Sequence, residues 1–251
     1  MWGDHMIVSS TEVQNNFGKY LVLAAKEEII VTRNGIEVAR LQSMEGKPHA
    51  TIQESVLKET ADSYPFKGRQ ASYEEFVELT RDEENRYEYI DGEIYLLASP
   101  RTAHQFAITE MLVTFHQWFQ GNECTPFVAP YDIRLKRLNR NDPNVVQPDL
   151  MVICDLDDHL DERDYYTGVP SLVVEVLSES TRSKDMVKKL DLYMESDVKE
   201  YWIVNPLNKE VTIYGFENNE VNKTRTYKHN ETAQSFLFEG LSVELERIFK
   251  S

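Results

Sequence analysis

VVQPDLMVIC (residues 145–154) and SLVVEVLSES (residues 171–180) are short apolar stretches, each interrupted by one carboxylate. Apolar runs of this length, rich in valine, predict buried β-strands. The interrupting residues are Asp149 and Glu175. Burying an unpaired charge costs several kcal/mol or more. Another group must therefore compensate the two carboxylates, and the two stretches are the first place to look for a functional site.

The composition describes a globular but strongly acidic chain. It has 251 residues, 41% of them hydrophobic, and a formal net charge of -16. This length fits one large domain, or a large one with a small companion. Such a charge argues against a protein that coats nucleic acid by non-specific attraction to phosphates. It is compatible with an enzyme that recruits divalent cations.

Cysteine usage and hydropathy predict a protein of the cytoplasm that has no membrane partner. The two cysteines, Cys124 and Cys154, form no CxxC pair, which argues against a zinc site and against a disulfide framework. A reducing compartment fits this pattern. The chain begins without a basic segment followed by an apolar one, and no apolar run approaches the roughly 18 residues that span a bilayer.

Three segments follow one another along the chain. Residues 1–48 predict a small strand, helix and hairpin module: Ser9 and Glu12 have the spacing of a capping box, and Asn34-Gly35 is a hairpin turn signal. Residues 49–68 are polar and aperiodic, which predicts a linker. Residues 69–251 form the main domain.

The main domain has the pattern of a mixed α/β fold with a mixed sheet. Ser72 and Glu75 predict a capped helix, and Asp91-Gly92 predicts a hairpin turn. The further elements, in chain order, are a helix at 102–119, strands at 126–135, 145–153 and 171–177, a helix in SKDMVKKLDLYMES, and strands in EYWIV and EVTIYGF. From residue 102 the order is therefore helix, three strands, helix, strand.

Two carboxylates on neighbouring strands can share a hard divalent cation such as Mg²⁺ or Mn²⁺, because these ions prefer oxygen ligands. The cation would offset the cost of burying Asp149 and Glu175. It could also polarise a phosphoryl oxygen and lower the pKa of an attached water, as phosphodiester hydrolysis requires. A nearby lysine would orient that water or stabilise charge in the transition state.

Pro148-Asp149 followed by Glu175 on the next strand resembles the PD-(D/E)XK nuclease superfamily, whose core is restriction-endonuclease-like. Leu177 stands where that pattern has a lysine. The following helix carries Lys188 and Lys189, and a lysine there can project toward the same ions. This displaced arrangement is similar to the Uma2 family of endonucleases.

The resemblance to Uma2 spans roughly residues 70 to 215 and includes RYEYIDGEIYLLASPRTAHQ, PDLMVI, LVVEVLSESTRSKDMVKKLDLY and EYWIVNP. It implies a nuclease that acts on nucleic acid, with DNA as the expected substrate. Asp149 and Glu175 are the implied metal ligands and catalytic residues. The family spacing from Asp185 to the lysine and then to Tyr193 favours Lys189 over Lys188 as the catalytic lysine.

Two further candidates lie in the matching region. In the superfamily an acidic residue ahead of the aspartate often completes the cation site; Glu88 is favoured as this metal ligand, with Glu93 as the alternative. His104 would bind the substrate or relay a proton to the leaving group. The alternative for His104 is a helix cap or a surface residue.

The N-terminal stretch from Met6 to about residue 43 resembles the Phd/YefM antitoxin fold, which forms a DNA-binding dimer. The resemblance implies a homodimer, a toxin protein as a candidate partner, and DNA contacts from Lys19, Arg33 and Arg40. With five basic and six acidic residues up to Pro48, DNA contact depends on a few placed side chains. The alternative is a module that only dimerises.

Two hypotheses follow for the whole chain. The first is a magnesium-dependent endonuclease fused to an antitoxin-like module. The second is a catalytically silent, dimeric DNA-binding regulator that uses a nuclease fold as its scaffold, and Leu177 at the lysine position keeps this alternative open.

Overall fold

The computed structural model divides the chain into two compact units, Met1–Pro65 and Phe66–Ser251. It describes residues 6–15, 20, 24, 28–33, 36–42, 68–81, 85–137, 143–178 and 184–249. The predicted linker at 49–68 lies outside these residues except for Gly68, and the Asn34-Gly35 turn lies outside them as well.

The first unit contains the predicted strand, helix and hairpin order. Its elements are β1 (Met6–Ser9), α1 (Ser10–Asn15), β2 (Ile29–Arg33) and β3 (Ile36–Leu41). The strands form one sheet in the order β1-β2-β3, with β1 parallel and β3 antiparallel to β2. The Ser9 hydroxyl accepts a hydrogen bond from the Glu12 amide at 3.1 Å, as the capping pattern predicts.

The second unit begins with β4 (Arg69–Gln70), α2 (Tyr73–Leu79), β5 (Tyr87–Ile90) and β6 (Glu93–Leu96). The predicted capping box is present, because Ser72 and Glu75 exchange side-chain to backbone hydrogen bonds. The β5–β6 hairpin turns at Asp91 and Gly92, which both have positive φ. Asparagine, aspartate and glycine tolerate this conformation best, and the Asp-Gly signal depends on that tolerance.

The long helix α3 spans Thr102–Phe119, as predicted. It packs on the main core through four buried residues at intervals of four: Ala107, Met111, Phe115 and Phe119. Phe106 and Leu112 are only half-buried.

Two predicted strands are each divided in two. The run 126–135 becomes β7 (Thr125–Val128) and β8 (Ile133–Leu135), and the run 145–153 becomes β9 (Asn144–Val146) and β10 (Leu150–Ile153). Pro130 and Pro148 lie at the two breaks. Proline has no N–H to donate to a strand ladder, so at each of these prolines the chain leaves one sheet and enters the other.

The remaining elements complete a mixed fold. They are β11 (Leu172–Val176), a π-helical turn (Lys184–Lys189), α4 (Leu190–Glu195), β12 (Glu200–Asn205), β13 (Glu210–Glu217), β14 (Glu220–Lys228), β15 (Thr232–Gln234), β16 (Ser242–Glu244) and α5 (Leu245–Ile248). The sequence did not predict the elements after β13. The mixed α/β class is confirmed.

Two sheets of this unit position the candidate site. The six-stranded sheet has the order β14-β13-β12-β11-β10-β7, and the five-stranded sheet has the order β4-β6-β5-β9-β8. Strands β10 and β11 are antiparallel neighbours, with Leu150 opposite Val174. Asp149 and Glu175 therefore lie side by side, as expected from the sequence.

The expectation about the cysteines was wrong. Cys124 and Cys154 form a disulfide. They immediately flank the β7–β10 ladder, in which Thr125 pairs with Ile153, so the sheet register brings the two residues together. Thirty residues separate them in sequence, and sequence spacing alone could not reveal this register.

Among the helices that the structure describes, none is long and apolar enough to cross a membrane.

Candidate active site

Asp149 is the more accessible of the two strand carboxylates. Its side chain is 19% exposed. The Oδ2 atom accepts a hydrogen bond from the backbone N–H of Val176 at 2.8 Å and lies 3.2 Å from Nε2 of His104. The neighbouring strand therefore fixes the orientation of the Asp149 carboxylate.

Glu175 is buried and is compensated by a lysine and a tyrosine. Oε1 of Glu175 lies 2.6 Å from Nζ of Lys189 and accepts a hydrogen bond from the Tyr193 hydroxyl, also at 2.6 Å. The π-helical turn and α4 carry these two residues, which are four positions apart. The charge that the sequence left unexplained in β11 is thus paired with a helix-borne lysine.

Glu88 joins the same lysine from the five-stranded sheet. Its Oε1 atom lies 2.7 Å from Nζ of Lys189 and accepts a hydrogen bond from the backbone N–H of Gln147 at 3.0 Å. Neither Glu88 nor Lys189 is appreciably exposed, at 0% and 2% of the side chain. The lysine therefore bridges glutamates from the two sheets.

Asp185 is the third acid near this ammonium, with Oδ1 at 3.7 Å from Nζ of Lys189. The Tyr201 hydroxyl donates to the backbone carbonyl of Asp185 at 3.0 Å and anchors the start of the π-helical turn to β12. We call Glu88, Glu175, Asp185 and Lys189 the buried charge cluster. It has three acids for one base, so a further cation is electrostatically favoured beside it.

Burial and charge shift the pKa values in this cluster. Burial raises the pKa of Glu175 well above its ordinary value, and Lys189 opposes the shift. For Lys189, burial alone would lower the pKa, but Glu175, Glu88 and Asp185 together raise it well above the ordinary value. Lys189 therefore stays an ammonium ion although it is buried.

Lys188 and Glu93 form a separate pair. Nζ of Lys188 lies 2.6 Å from Oε2 of Glu93 and 2.6 Å from the Tyr95 hydroxyl. The Lys188 side chain is 36% exposed, in contrast to Lys189. The structure therefore places Glu88 rather than Glu93 beside Lys189 and Glu175.

The structure brings five of the predicted site residues together, in a chain of contacts from His104 through Asp149 and the β11 backbone to Glu175, Lys189 and Glu88. His104 lies in the first turn of α3. Its Nε2 atom faces Asp149, while its Nδ1 atom is buried and has no hydrogen-bond partner among the residues that the structure describes. The contact with Asp149 distinguishes this histidine from a surface residue.

The predicted DNA-contacting residues belong to the first unit. Lys19 lies outside the described residues. Arg33 is exposed at the end of β2. Arg40, also exposed, donates to Glu37 and lies 3.5 Å from Glu28. Acidic neighbours thus already engage the Arg40 guanidinium.

Sequence reasoning did not assign roles to Asp185 and Tyr193, although Asp185 belongs to the buried charge cluster and Tyr193 contacts it. The signal was present, because each is four residues from Lys189, on opposite sides. Residues four apart lie on one face of a helix. The Gln147 backbone donor to Glu88 left no sequence signal, because it depends on the pairing of β5 with β9.

The carboxylate oxygens of Asp149 and Glu175 suit a divalent cation. No three His, Cys, Asp or Glu side chains in the described part of the chain are arranged as a ready-made metal site. The side-chain contacts of Asp149 with described residues use Oδ2, and those of Glu175 use Oε1. Each carboxylate therefore retains one oxygen, and Mg²⁺ is commonly held by one or two carboxylates with waters and phosphates. The two residues fit such an ion.

Two known proteins are similar to this chain. An uncharacterized protein from Synechocystis sp. is 28% identical over 144 residues, covering 57% of this chain and 73% of that protein. The crystal structure of a "putative nuclease belonging to DUF820" from Anabaena variabilis is similar, with a TM-score of 0.56 and 18% identity, covering 70% of this chain and 96% of that one. At this identity the likeness shows a shared fold.

A family model gives the assignment. The model described as "Uma2: Putative restriction endonuclease" matches residues 73–246. This match includes every member of the buried charge cluster, and also Asp149 and His104. Since the matched region is well over half of the 251 residues, the chain belongs to the Uma2 family.

Proposed function

We propose that this protein is an endonuclease that hydrolyses phosphodiester bonds of DNA and requires Mg²⁺ or Mn²⁺. Membership of the Uma2 family supports a nuclease that acts on nucleic acid. One observation carries the metal requirement: Asp149 and Glu175 lie on adjacent strands, each with a carboxylate oxygen left over, beside a cluster of three acids and one base.

Asp149 and Glu175 would hold the cation. A divalent ion bound there supplies a Lewis acid for a phosphoryl oxygen and lowers the pKa of an attacking water. Val176 fixes the Asp149 carboxylate through its backbone N–H, and Tyr193 fixes Glu175 through its hydroxyl. Both carboxylates are therefore oriented before any ligand binds, which reduces the cost of organising the site.

Lys189 supplies a permanent positive charge at the site. Its ammonium forms an ion pair with Glu175 and is almost fully buried, so solvent ions screen it weakly. We assign it to stabilise negative charge that develops on the phosphoryl group, or to orient the attacking water. His104, in contact with Asp149, orients that carboxylate and is the candidate for proton transfer to the leaving group.

For the first unit, we propose a dimerisation and DNA-contacting role. Ile7 on β1 and Ile36 and Val38 on β3 are large apolar side chains that are exposed in the single chain, which favours a partner surface. A second copy would double the contribution of Arg33, which is exposed at the end of β2.

Incubating the full chain with supercoiled plasmid and with single-stranded DNA tests the proposal. Each substrate is given Mg²⁺, Mn²⁺ or EDTA. We expect cleavage of at least one substrate with either metal and none with EDTA. DNA binding without cleavage under every condition would instead favour the catalytically silent regulator.

A further inference from the structure

Glu88 belongs to a different sheet from the one that positions Asp149 and Glu175. It belongs to β5 of the five-stranded sheet, whereas Asp149 and Glu175 flank the β10–β11 ladder of the six-stranded sheet. It contacts Lys189 of the buried charge cluster, at 2.7 Å. The same Nζ atom lies 2.6 Å from Glu175.

We infer that Glu88 is a positioning residue, which holds the Lys189 ammonium against Glu175 and does not itself ligate the cation. The inference rests on the proposed function, because it assigns a role within that site. A buried carboxylate at this position could either ligate the cation or hold the lysine in place, and the inference assigns Glu88 to the second role.

The contacts of Oε1 support this role. That atom already accepts the Gln147 backbone N–H at 3.0 Å and lies 2.7 Å from Nζ of Lys189. A cation on the same oxygen would come within a few ångströms of the ammonium, and like charges at that distance repel strongly. The backbone N–H of Gln147 is a fixed donor, so it holds the Glu88 carboxylate in the orientation that meets the lysine.

The burial of the lysine requires such a counter-ion. An ammonium with almost no exposed surface is costly unless it is paired and hydrogen-bonded. Glu175 alone could pair with it, but a cation on the other oxygen of Glu175 would share that carboxylate with Lys189 and weaken the pair. With Glu88 on its other side, Lys189 retains a carboxylate partner when Glu175 binds metal.

A double-mutant cycle tests the inference. Mn²⁺ dissociation constants are measured by titration calorimetry for the full chain, Glu88→Gln, Lys189→Met and the double variant. If Glu88 acts through Lys189, then Glu88→Gln changes Mn²⁺ affinity in the Lys189→Met background by no more than about twofold, the margin within which independent effects add. A loss of tenfold or more in that background would show that Glu88 is a ligand and would overturn the inference.

Cleavage rates give a second readout. Glu88→Gln should lower kcat by about 10- to 100-fold, the usual cost of removing a residue that orients an active-site group. KM for DNA should be unchanged, since Glu88 is fully buried and contacts no substrate. Glu93→Gln is the matched control, because Glu93 pairs with Lys188 instead. An equal effect of Glu93→Gln on kcat would contradict the inference.

Thermal unfolding of the same four proteins keeps the inference testable without activity. If no protein binds Mn²⁺ or cleaves DNA, the proposed function fails, but the pairing is still measured. We expect Glu88→Gln to lower Tm less in the Lys189→Met background than in the full chain, because the partner is already gone. Equal Tm losses in both backgrounds would contradict it. Lys189→Gln replaces Lys189→Met if the latter does not fold.

Discussion

Lys188 and Lys189 are neighbours in the chain, yet their ammonium groups bind glutamates on opposite strands of one hairpin. Lys189 pairs with Glu88 on β5, and Lys188 pairs with Glu93 on β6. Consecutive residues of a helix point in different directions, so one π-helical turn serves two separate ion pairs. One of these pairs is buried beside Asp149 and Glu175, and the other is partly exposed.

This separation predicts unequal effects of two similar substitutions. Lys189→Ala should lower the cleavage rate on the order of 10²-fold or more, since it removes a placed charge that acts in the transition state. Its effects on metal and DNA affinity should be much smaller. Lys188→Ala should change the rate little. Single-turnover cleavage under saturating Mn²⁺ measures both, and equal, small effects would mean that Lys189 has only a structural role.

The contact between His104 and Asp149 predicts rescue by a conservative substitution. His104→Ala removes the group that lies 3.2 Å from Oδ2 of Asp149 and should weaken Mn²⁺ binding about 10- to 100-fold, as loss of such outer contacts usually does. His104→Gln places an amide donor at a similar reach and should restore most of the affinity. Mn²⁺ titrations of both variants check this.

If His104→Gln bound Mn²⁺ as poorly as His104→Ala while unfolding at the same temperature as the unaltered protein, the orienting role would be wrong. Proton transfer to the leaving group would then be the better assignment.

Local patterns in the sequence indicated part of this site. Asp149 and Glu175 stand out because each interrupts an apolar strand, whereas the resemblance to the Uma2 family favoured Lys189 over Lys188. The capping box at Ser72 and the Asp91-Gly92 turn were equally readable, because each is formed by residues within four positions. Where local physics decides the conformation, the sequence predicts it.

Features that depend on pairing between distant strands were not predictable. The Cys124–Cys154 disulfide follows from the β7–β10 register. The divided strands follow from prolines that move the chain between two sheets, and an apolar run does not reveal to which sheet it belongs. Apolar periodicity reports burial, whereas register is set by the whole sheet.

The first unit predicts a change of assembly on truncation. If the exposed apolar residues of β1 and β3 form a two-fold interface, removing residues 1–48 should convert a dimer to a smaller species. Light scattering of the full and the truncated chain measures this. A dimer that survives the truncation would place the main interface in the second unit.

Glu200 predicts a pH dependence of stability that is independent of the site. This buried carboxylate accepts hydrogen bonds from Trp202 at 2.6 Å and Ser235 at 2.8 Å, and from the backbone of Leu237 at 2.9 Å. Burial nevertheless raises its pKa above the ordinary value of 4.5, although these hydrogen bonds oppose the shift. The folded state therefore binds the proton more tightly than the unfolded state does.

The sign of the effect follows from this difference. The contribution of Glu200 to the free energy of unfolding is fully present below pH 4.5 and is lost as the pH rises through the folded-state pKa. Relative to Glu200→Gln, the unaltered protein should lose stability over that range. Urea unfolding of both proteins at a series of pH values checks this. If the free energy of unfolding of the unaltered protein rose with pH relative to that of Glu200→Gln, the prediction would be wrong.

Asp149→Asn tests most directly whether Asp149 and Glu175 hold a catalytic metal ion. The substitution keeps the size of the side chain and removes its charge, and Asp157→Asn is the control, since the Asp157 side chain is exposed. The decisive measurement is Mn²⁺-dependent cleavage of DNA by both variants, with Mn²⁺ affinity measured alongside. We predict that Asp149→Asn abolishes cleavage and weakens Mn²⁺ binding while the fold is retained, and that Asp157→Asn behaves like the unaltered protein. Unchanged cleavage by Asp149→Asn would contradict the account.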